Sequence, residues 1–289
     1  MRIGYPCINR SIGCTANSRF RLASYTPARL KETLARNLAC LERILHFNAE
    51  NDLRFFRVSS DLVPFASHPV CRVDWGRLFR REFARLGRFI RSEGFRVSMH
   101  PDQFVLLNAL EEGIVERSVA ELEYHARVLE LLGLDRTAKI QIHVGGVYGE
   151  RPAAMERFVR RYEGLPRFVR RRLVIENDDR LYPLADCLEL HRRTGVPVLF
   201  DSFHHALLNR GESLSAALRS AAATWKPADG RAMMDYSSQE RGRRAGAHAE
   251  SLSLADFRRF LQAARRHDPD VMLEIKDKEA SALKALDLL

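Results

Sequence analysis

The chain has 289 residues, a hydrophobic share of 46%, and a formal charge of +10 with a pI near 9.7. That length suits one α/β barrel or two small domains, and the hydrophobic share suits a soluble protein with a sizeable core. No run approaches the roughly 18 apolar residues of a membrane helix, and the N-terminus MRIGYPCINR lacks the apolar stretch of a secretory signal. The excess of base points to a polyanionic partner such as nucleic acid. Only six of the 47 basic residues are Lys, however, so an Arg-rich composition with solvated faces such as RRYEGLPRFVRRR (160–172) accounts for the charge as well. Five scattered cysteines without a C-x-x-C pair read as reduced thiols of a cytoplasmic protein.

Along the chain, short β-branched or aromatic runs alternate with longer segments of helical period. The expected strands are RIGY (2–5), LRFFRVSS (53–60), FRVSMH (95–100), KIQIHV (139–144), RLVIEN (172–177), PVLFDS (197–202), RAMMDYSS (231–238) and VMLEIK (271–276). Helices are expected over 26–46, 75–93, 113–133, 152–171, 183–195, 213–224, 253–267 and 277–288. In the first, Thr26 is the N-cap, Pro27 takes the first helical position, and leucines recur at 30, 34, 38, 41 and 45. The stretch 226–247 is the loosest and reads largely as loop. Eight such alternations predict a single (β/α)8 TIM barrel over 1–289. A doubly wound sheet is the alternative, but no G-x-G-x-x-G follows the first strand.

In a barrel the C-terminal strand ends share one mouth, where active sites are built. Here those ends carry His68, His100, His143, Glu176, Asp201 with His204, Asp235 with His248, and Glu274. One histidine at a strand end is usually structural; five of the ten histidines on one face are not so easily dismissed. Four carboxylates packed together repel one another, and bound divalent cations remove the conflict. The mixed imidazole–carboxylate set suits Zn2+ or Mn2+ better than Ca2+ or Mg2+, and two or three ions are expected, with a glutamate bridging a pair. Of the remaining histidines only His205, beside His204, is ambiguous.

The motifs GYPCIN, FRVSS with SHP, SMHPDQF, IHVGG, IENDD, DSFHH, MDYSSQ, AHAE and MLEIKDKE follow one another in this order along the whole chain. Together they resemble the UV damage endonuclease family, barrel nucleases that nick DNA beside ultraviolet lesions. The resemblance implies a metal-binding set of His100, His143, Glu176, Asp201, His204, Asp235, His248 and Glu274, with Glu176 as the bridge and His68 as a further active-site histidine. It implies that Gln103 and Phe104 probe the duplex and that Tyr5 and Asn9 line the lesion pocket. Glu176 and Glu274 are the expected catalytic carboxylates, and Lys276 is a candidate phosphate contact or, equally, an ordinary rim lysine. Arg241, Arg243 and Arg244 in the strand-7 loop are candidate contacts to backbone phosphates.

The family implies damaged double-stranded DNA as partner, no membrane, and cleavage immediately 5′ to a photoproduct with a 3′-hydroxyl and 5′-phosphate left behind. A monomer is expected, in the cytoplasm at the nucleoid. The chain departs from the family twice. Met233 stands where many members have a lysine, and Asp235 where many have histidine; the extra carboxylate favours Mn2+ over Zn2+. A one-metal sugar isomerase or epimerase on the same barrel is the rival reading, since Glu176, Asp201, Asp235 and Glu274 fit it, but it has no use for the surplus histidines or the basic balance. An endonuclease IV-like abasic-site nuclease shares the metal logic without the HPDQF match, and a non-catalytic nucleic-acid-binding barrel leaves the dense metal set unexplained.

Overall fold

A computed structural model describes residues 1–289. The chain alternates in order β1 (Ile3–Pro6), α1 (Pro27–Glu50), β2 (Phe55–Val58), α2 (Trp75–Leu78), α3 (Arg80–Ser92), β3 (Arg96–Met99), α4 (Glu112–Leu131) and β4 (Lys139–His143). It continues α5 (Arg151–Gly164), α6 (Arg167–Arg170), β5 (Leu173–Glu176), α7 (Leu184–Thr194), β6 (Val198–Asp201), α8 (Ser202–Leu207) and α9 (Leu214–Ala222). The last elements are β7 (Met233–Tyr236), α10 (Leu254–Ala264), β8 (Asp270–Leu273) and α11 (Glu279–Leu286). The strands are parallel, and β8 pairs back onto β1, closing the expected (β/α)8 barrel. All eight expected strands are present; six are trimmed by one to four residues, while β1 and β8 are shifted, β1 running one residue further to Pro6 and β8 starting one residue earlier at Asp270.

Two expected helices are broken for local reasons. The segment 152–171 ends its first helix at Gly164, because Pro166 has no N–H to continue it. The segment 75–93 is interrupted at Phe79, which leaves helical geometry with ψ of 19°. The short helix α8 was not foreseen; it begins because the Asp201 carboxylate accepts from the Phe203 and His204 amides. Of the loose stretch, residues 233–236 are strand, and the long βα loop runs from there to α10.

Strand alternation sorts the barrel interior into three layers. At the bottom lie Arg96, Lys139 and Asp270, all buried. Arg96 and Asp270 are paired at 2.9 Å, and Lys139 meets Asp229 at 2.7 Å. Above them Phe55, Val174, Leu199, Met233 and Met272 form an apolar plug. Two residues further along the strands come Arg57, Gln141, Glu176, Asp201 and Asp235, again buried. Gly4 on β1 has no room for a side chain, since a Cβ there would lie 2.2 Å from the Phe55 carbonyl oxygen. Between barrel and helices a second, larger core includes the α1 leucines 30, 34, 38, 41 and 45.

The expectation of five free thiols is corrected by a disulfide between Cys14 and Cys40, leaving Cys7, Cys71 and Cys187 unpaired. The segment after β1 folds back along α1, where Asn37 accepts from the Ser18 amide at 2.9 Å and donates to the Ser18 carbonyl at 3.0 Å. That return brings the two α-carbons within 5.9 Å across 26 residues of chain. Spacing in sequence carries no sign of it.

Candidate metal centre and nucleic-acid face

Register decides what meets at the mouth. His143 on β4 stands opposite Glu176 on β5, and Asp201 on β6 opposite Asp235 on β7. Three groups of ligand atoms, each gathered within 4.8 Å, result: His100–His143–Glu176, Glu176–Asp201–His204 and Asp201–Asp235–Glu274. Glu176 belongs to the first two and Asp201 to the last two, so the three groups form one chain of sites. The Glu176 Oε2 lies 3.6 Å from His100 Nε2 and 3.8 Å from His143 Nε2, while its Oε1 lies 3.1 Å from His204 Nδ1.

Neighbouring side chains aim these groups. Gln141 donates to Glu176 at 2.6 Å and to Asp235 at 2.8 Å, tying β4, β5 and β7 together. Asn177 exchanges two 2.9 Å hydrogen bonds with the backbone of Asp201. The Asp201 Oδ1 caps α8, whereas its Oδ2 is buried without a hydrogen-bond partner. The Nδ1 atoms of His100 and His143 are likewise buried and unpartnered. A buried carboxylate oxygen left unpaired among other acids is costly, and a divalent cation satisfies it. The donor set therefore fits metal.

Charge balance points the same way. Burial, opposed by His204 but reinforced by Glu176 and Glu274, pushes Asp201 up to about 7. Asp235 is raised well above its ordinary value by burial, against the pull of Arg57. Burial also presses on Glu176, but His143, His204 and His100 bring it well below the usual carboxylate range. His100 is lowered to about 4 by burial and stays neutral, the state an imidazole ligand requires. His204 loses to burial but gains more from Asp201 and Glu176, and reaches about 11. Acids and imidazoles are thus forced apart in protonation, a conflict that a bound cation relieves.

Above the cluster, His100, His143, His204 and His248 open into a cavity of about 540 Å3 that Gln103 and Arg244 also line. Beside it Phe104 stands 81% exposed on the rim, in the loop that follows His100. Arg241, Arg243 and Arg244 are exposed and free of ion pairs, on a loop that Gln239 holds by accepting from the Gly246 amide and donating to the Arg244 carbonyl, both at 2.9 Å. An apolar side chain held in water beside free guanidinium groups is a surface of the kind that suits nucleic acid.

The profile of a family described as UV-endonuclease UvdE matches residues 1–289. The chain belongs to this family. It is 34% identical over 291 residues to a UV DNA damage endonuclease of Clostridium perfringens, covering 100% of this chain and 71% of that protein. The solved structure described as SacUVDE superposes with a TM-score of 0.96 at 43% identity, covering 100% of this chain and 98% of that one. Endonuclease IV from Thermus thermophilus shares the barrel at a TM-score of 0.62 and 17% identity, a likeness of fold alone.

Against this family background several expected residues sit differently. His68 is exposed, with its Nδ1 accepting from the Val70 amide at 3.0 Å, and it joins none of the three ligand groups. His248 is at the mouth, but its Nδ1 is bonded to the Glu274 carbonyl at 2.8 Å and only the other ring nitrogen is free to act. Lys276 is 42% exposed and pairs with Glu250 at 2.6 Å, so it does not reach the cluster. Tyr5 and Asn9 are buried rather than open to the cavity: Asn9 donates to the Tyr5 hydroxyl at 2.8 Å, which donates to Asn48 on α1 at 2.6 Å. The alternation of β1 turns Tyr5 toward the helix layer, where its ring meets Phe56. His205 is buried against Phe200 and is no ligand of the cluster.

Met233 belongs to the apolar plug beneath the acids, so nothing charged rises from that position. The cation at this level is Arg57, which the motif reading passed over. Its guanidinium donates to both Asp235 oxygens, at 2.8 and 2.6 Å, and to Glu274. Burial works against its charge, but Asp235 and Glu274 overcome that and hold it protonated. Strand period gives one signal of it, since residue 57 lies two along from the inward Phe55 and shares its face, although barrel closure alone sets the partners it meets there.

Proposed function

We propose that the chain is a metal-dependent DNA repair endonuclease that nicks damaged double-stranded DNA immediately 5′ to ultraviolet photoproducts by hydrolysis. The observation that carries the reading is the placement of exposed Phe104 and three unpaired arginines around a buried histidine–carboxylate cluster in a UvdE-family barrel. His100, His143, Glu176, Asp201, His204 and Glu274 would hold two or three divalent ions, Mn2+ before Zn2+, with Glu176 shared; Asp235 and His248 flank them. Such ions supply Lewis acidity for phosphodiester hydrolysis by acidifying water and neutralising the leaving 3′ oxygen.

The protein's own side chains do the rest. Gln141 and Arg57, in the same layer as the acids, fix Glu176, Asp235 and Glu274 by hydrogen bonds. His100 enters as a neutral ring. Phe104 wedges into a stack that a dimerised pyrimidine pair already holds poorly, and Gln103 hydrogen-bonds orphaned bases. Arg241, Arg243 and Arg244 hold backbone phosphates, which makes affinity fall steeply with salt.

The test is nicking of supercoiled plasmid, irradiated or untreated, with Mn2+ or with EDTA. Relaxation of only the irradiated plasmid, abolished by EDTA and by Glu176→Gln, is expected. Glu176→Gln should also lower bound Mn2+ per chain, read by elemental analysis. Failure to nick either plasmid with any divalent ion would sink the nuclease assignment.

A further inference from the structure

We infer that Lys278, and not Lys276, is the lysine of the β8 loop that contacts the scissile phosphodiester. The inference rests on the nuclease reading above. Lys278 has φ of 54° and ψ of −115°, a conformation that a side chain disfavours. The Ala280 amide donates to the Asp277 carbonyl at 3.2 Å, closing a tight turn. Lys278 occupies the first central position of that turn, and these angles at that position are those of a II′ turn, where glycine is the usual choice. Fold alone would favour glycine at 278, so the lysine side chain has some other use.

The surroundings hold this backbone rigidly. The Lys276 and Asp277 amides donate to the Ala249 and Glu250 carbonyls, each at 3.1 Å. The buried Glu279 carboxylate accepts from the Arg10 amide at 2.9 and 3.0 Å and from the Ser11 hydroxyl at 2.6 Å. The loops after β1 and β8, neighbours in the barrel, are thereby stitched together around residue 278. Cys7, in the first of these loops, is also left-handed, with φ of 68°. Strained backbone of this kind clusters at functional sites.

The Lys278 side chain lies in the field of Cys7, Glu274, Arg57 and Arg10. It makes no ion pair and no side-chain hydrogen bond, whereas Lys276 is spent on Glu250. An ammonium on the loop at the C-terminal end of β8, without a partner of its own, suits a phosphate oxygen. Loops after strands 7 and 8 are where barrels of this kind commonly bind phosphate.

The experiment compares wild type with Lys278→Met, Lys278→Arg, Lys278→Gly and Lys276→Met. Two readouts are taken: nicking of irradiated plasmid, and the salt dependence of binding to a fluorescent duplex carrying one cyclobutane dimer. Lys278→Met should lower kcat about 100-fold and reduce the slope of log Kd against log salt by about 0.9. Lys278→Arg should keep most of both, and Lys276→Met should move neither. Lys278→Gly should melt no lower than wild type yet lose activity as Lys278→Met does. Wild-type kcat and slope in Lys278→Met would overturn the assignment. So would recovery of activity in Lys278→Gly, which would show that the turn, not the charge, matters. A wild-type protein that binds but never nicks would defeat the nuclease reading, and the slope would still decide the contact.

Discussion

Arg57 is the one cation on the inner layer of acids, and removing it tests the electrostatic account of the site directly. In Arg57→Met, Asp235 loses two hydrogen bonds, Glu274 loses its ion pair, and Gln141 is left as the only donor to Asp235. Breaking a buried pair from one side costs about 3–5 kcal/mol, which for a chain of this size lowers Tm by roughly 5–10 °C. The loss should appear in full in EDTA. It should shrink with saturating Mn2+, because the bound cation balances the same carboxylates and contributes its own binding energy to the folded state. Urea denaturation of wild type, Arg57→Met, Asp235→Asn and the double variant, with and without Mn2+, reads this out. The double variant in EDTA should be more stable than the sum of the single losses implies, by about 1–3 kcal/mol. Equal stability of Arg57→Met and wild type in EDTA, or strict additivity with Asp235→Asn, would refute the reasoning.

Phe104→Ala should leave Tm unchanged, since the ring is 81% exposed. It should weaken binding to a dimer-containing duplex by about 1–3 kcal/mol, roughly 5- to 150-fold, while undamaged duplex is little affected; fluorescence anisotropy measures both. His125 is buried in α4, donates from Nδ1 to the Glu121 carbonyl at 2.8 Å, and is lowered to about 4 by burial. Unfolded, it takes up a proton near 6.5, so the unfolded state binds more protons between pH 6.5 and 4, and stability must fall as pH drops through that window. From pH 6.5 to 5 this histidine's share of the loss is about 1.5 kcal/mol, the part of the fall in urea midpoint that His125→Phe removes, while the share of His100, also lowered to about 4, remains. Thiol titration of the denatured, unreduced chain should find the three free cysteines and, after reduction, all five.

The barrel was legible because its cause is local. Short runs of four to eight residues rich in apolar side chains, alternating with longer segments of helical period, leave few architectures that bury both. The acids and imidazoles at the strand ends were legible for the same reason: once strands are parallel, their C-terminal residues share a face, and His100, His143, Glu176, Asp201, His204 and Glu274 meet as expected. Exposure of Phe104 agrees with the duplex-probing role that the family resemblance implied for it; the pattern of the residues around it decided nothing.

What the sequence could not determine depended on where chain segments return and which way a side chain turns. His68 and Lys276 lie at the right distance along the chain, but one is exposed and bonded within its own loop to the Val70 amide, and the other is captured by Glu250. Cys14 and Cys40 meet only because the first loop doubles back on α1. Arg57 is a charged residue within a strand, and only closure of the barrel shows that Asp235 and Glu274, from two other strands, wait for it on the inside. Lys278 reads as one more surface lysine until its backbone angles are known. Sequence period determines which residues share a face; the long-range contacts that decide their partners exist only once the sheet has closed.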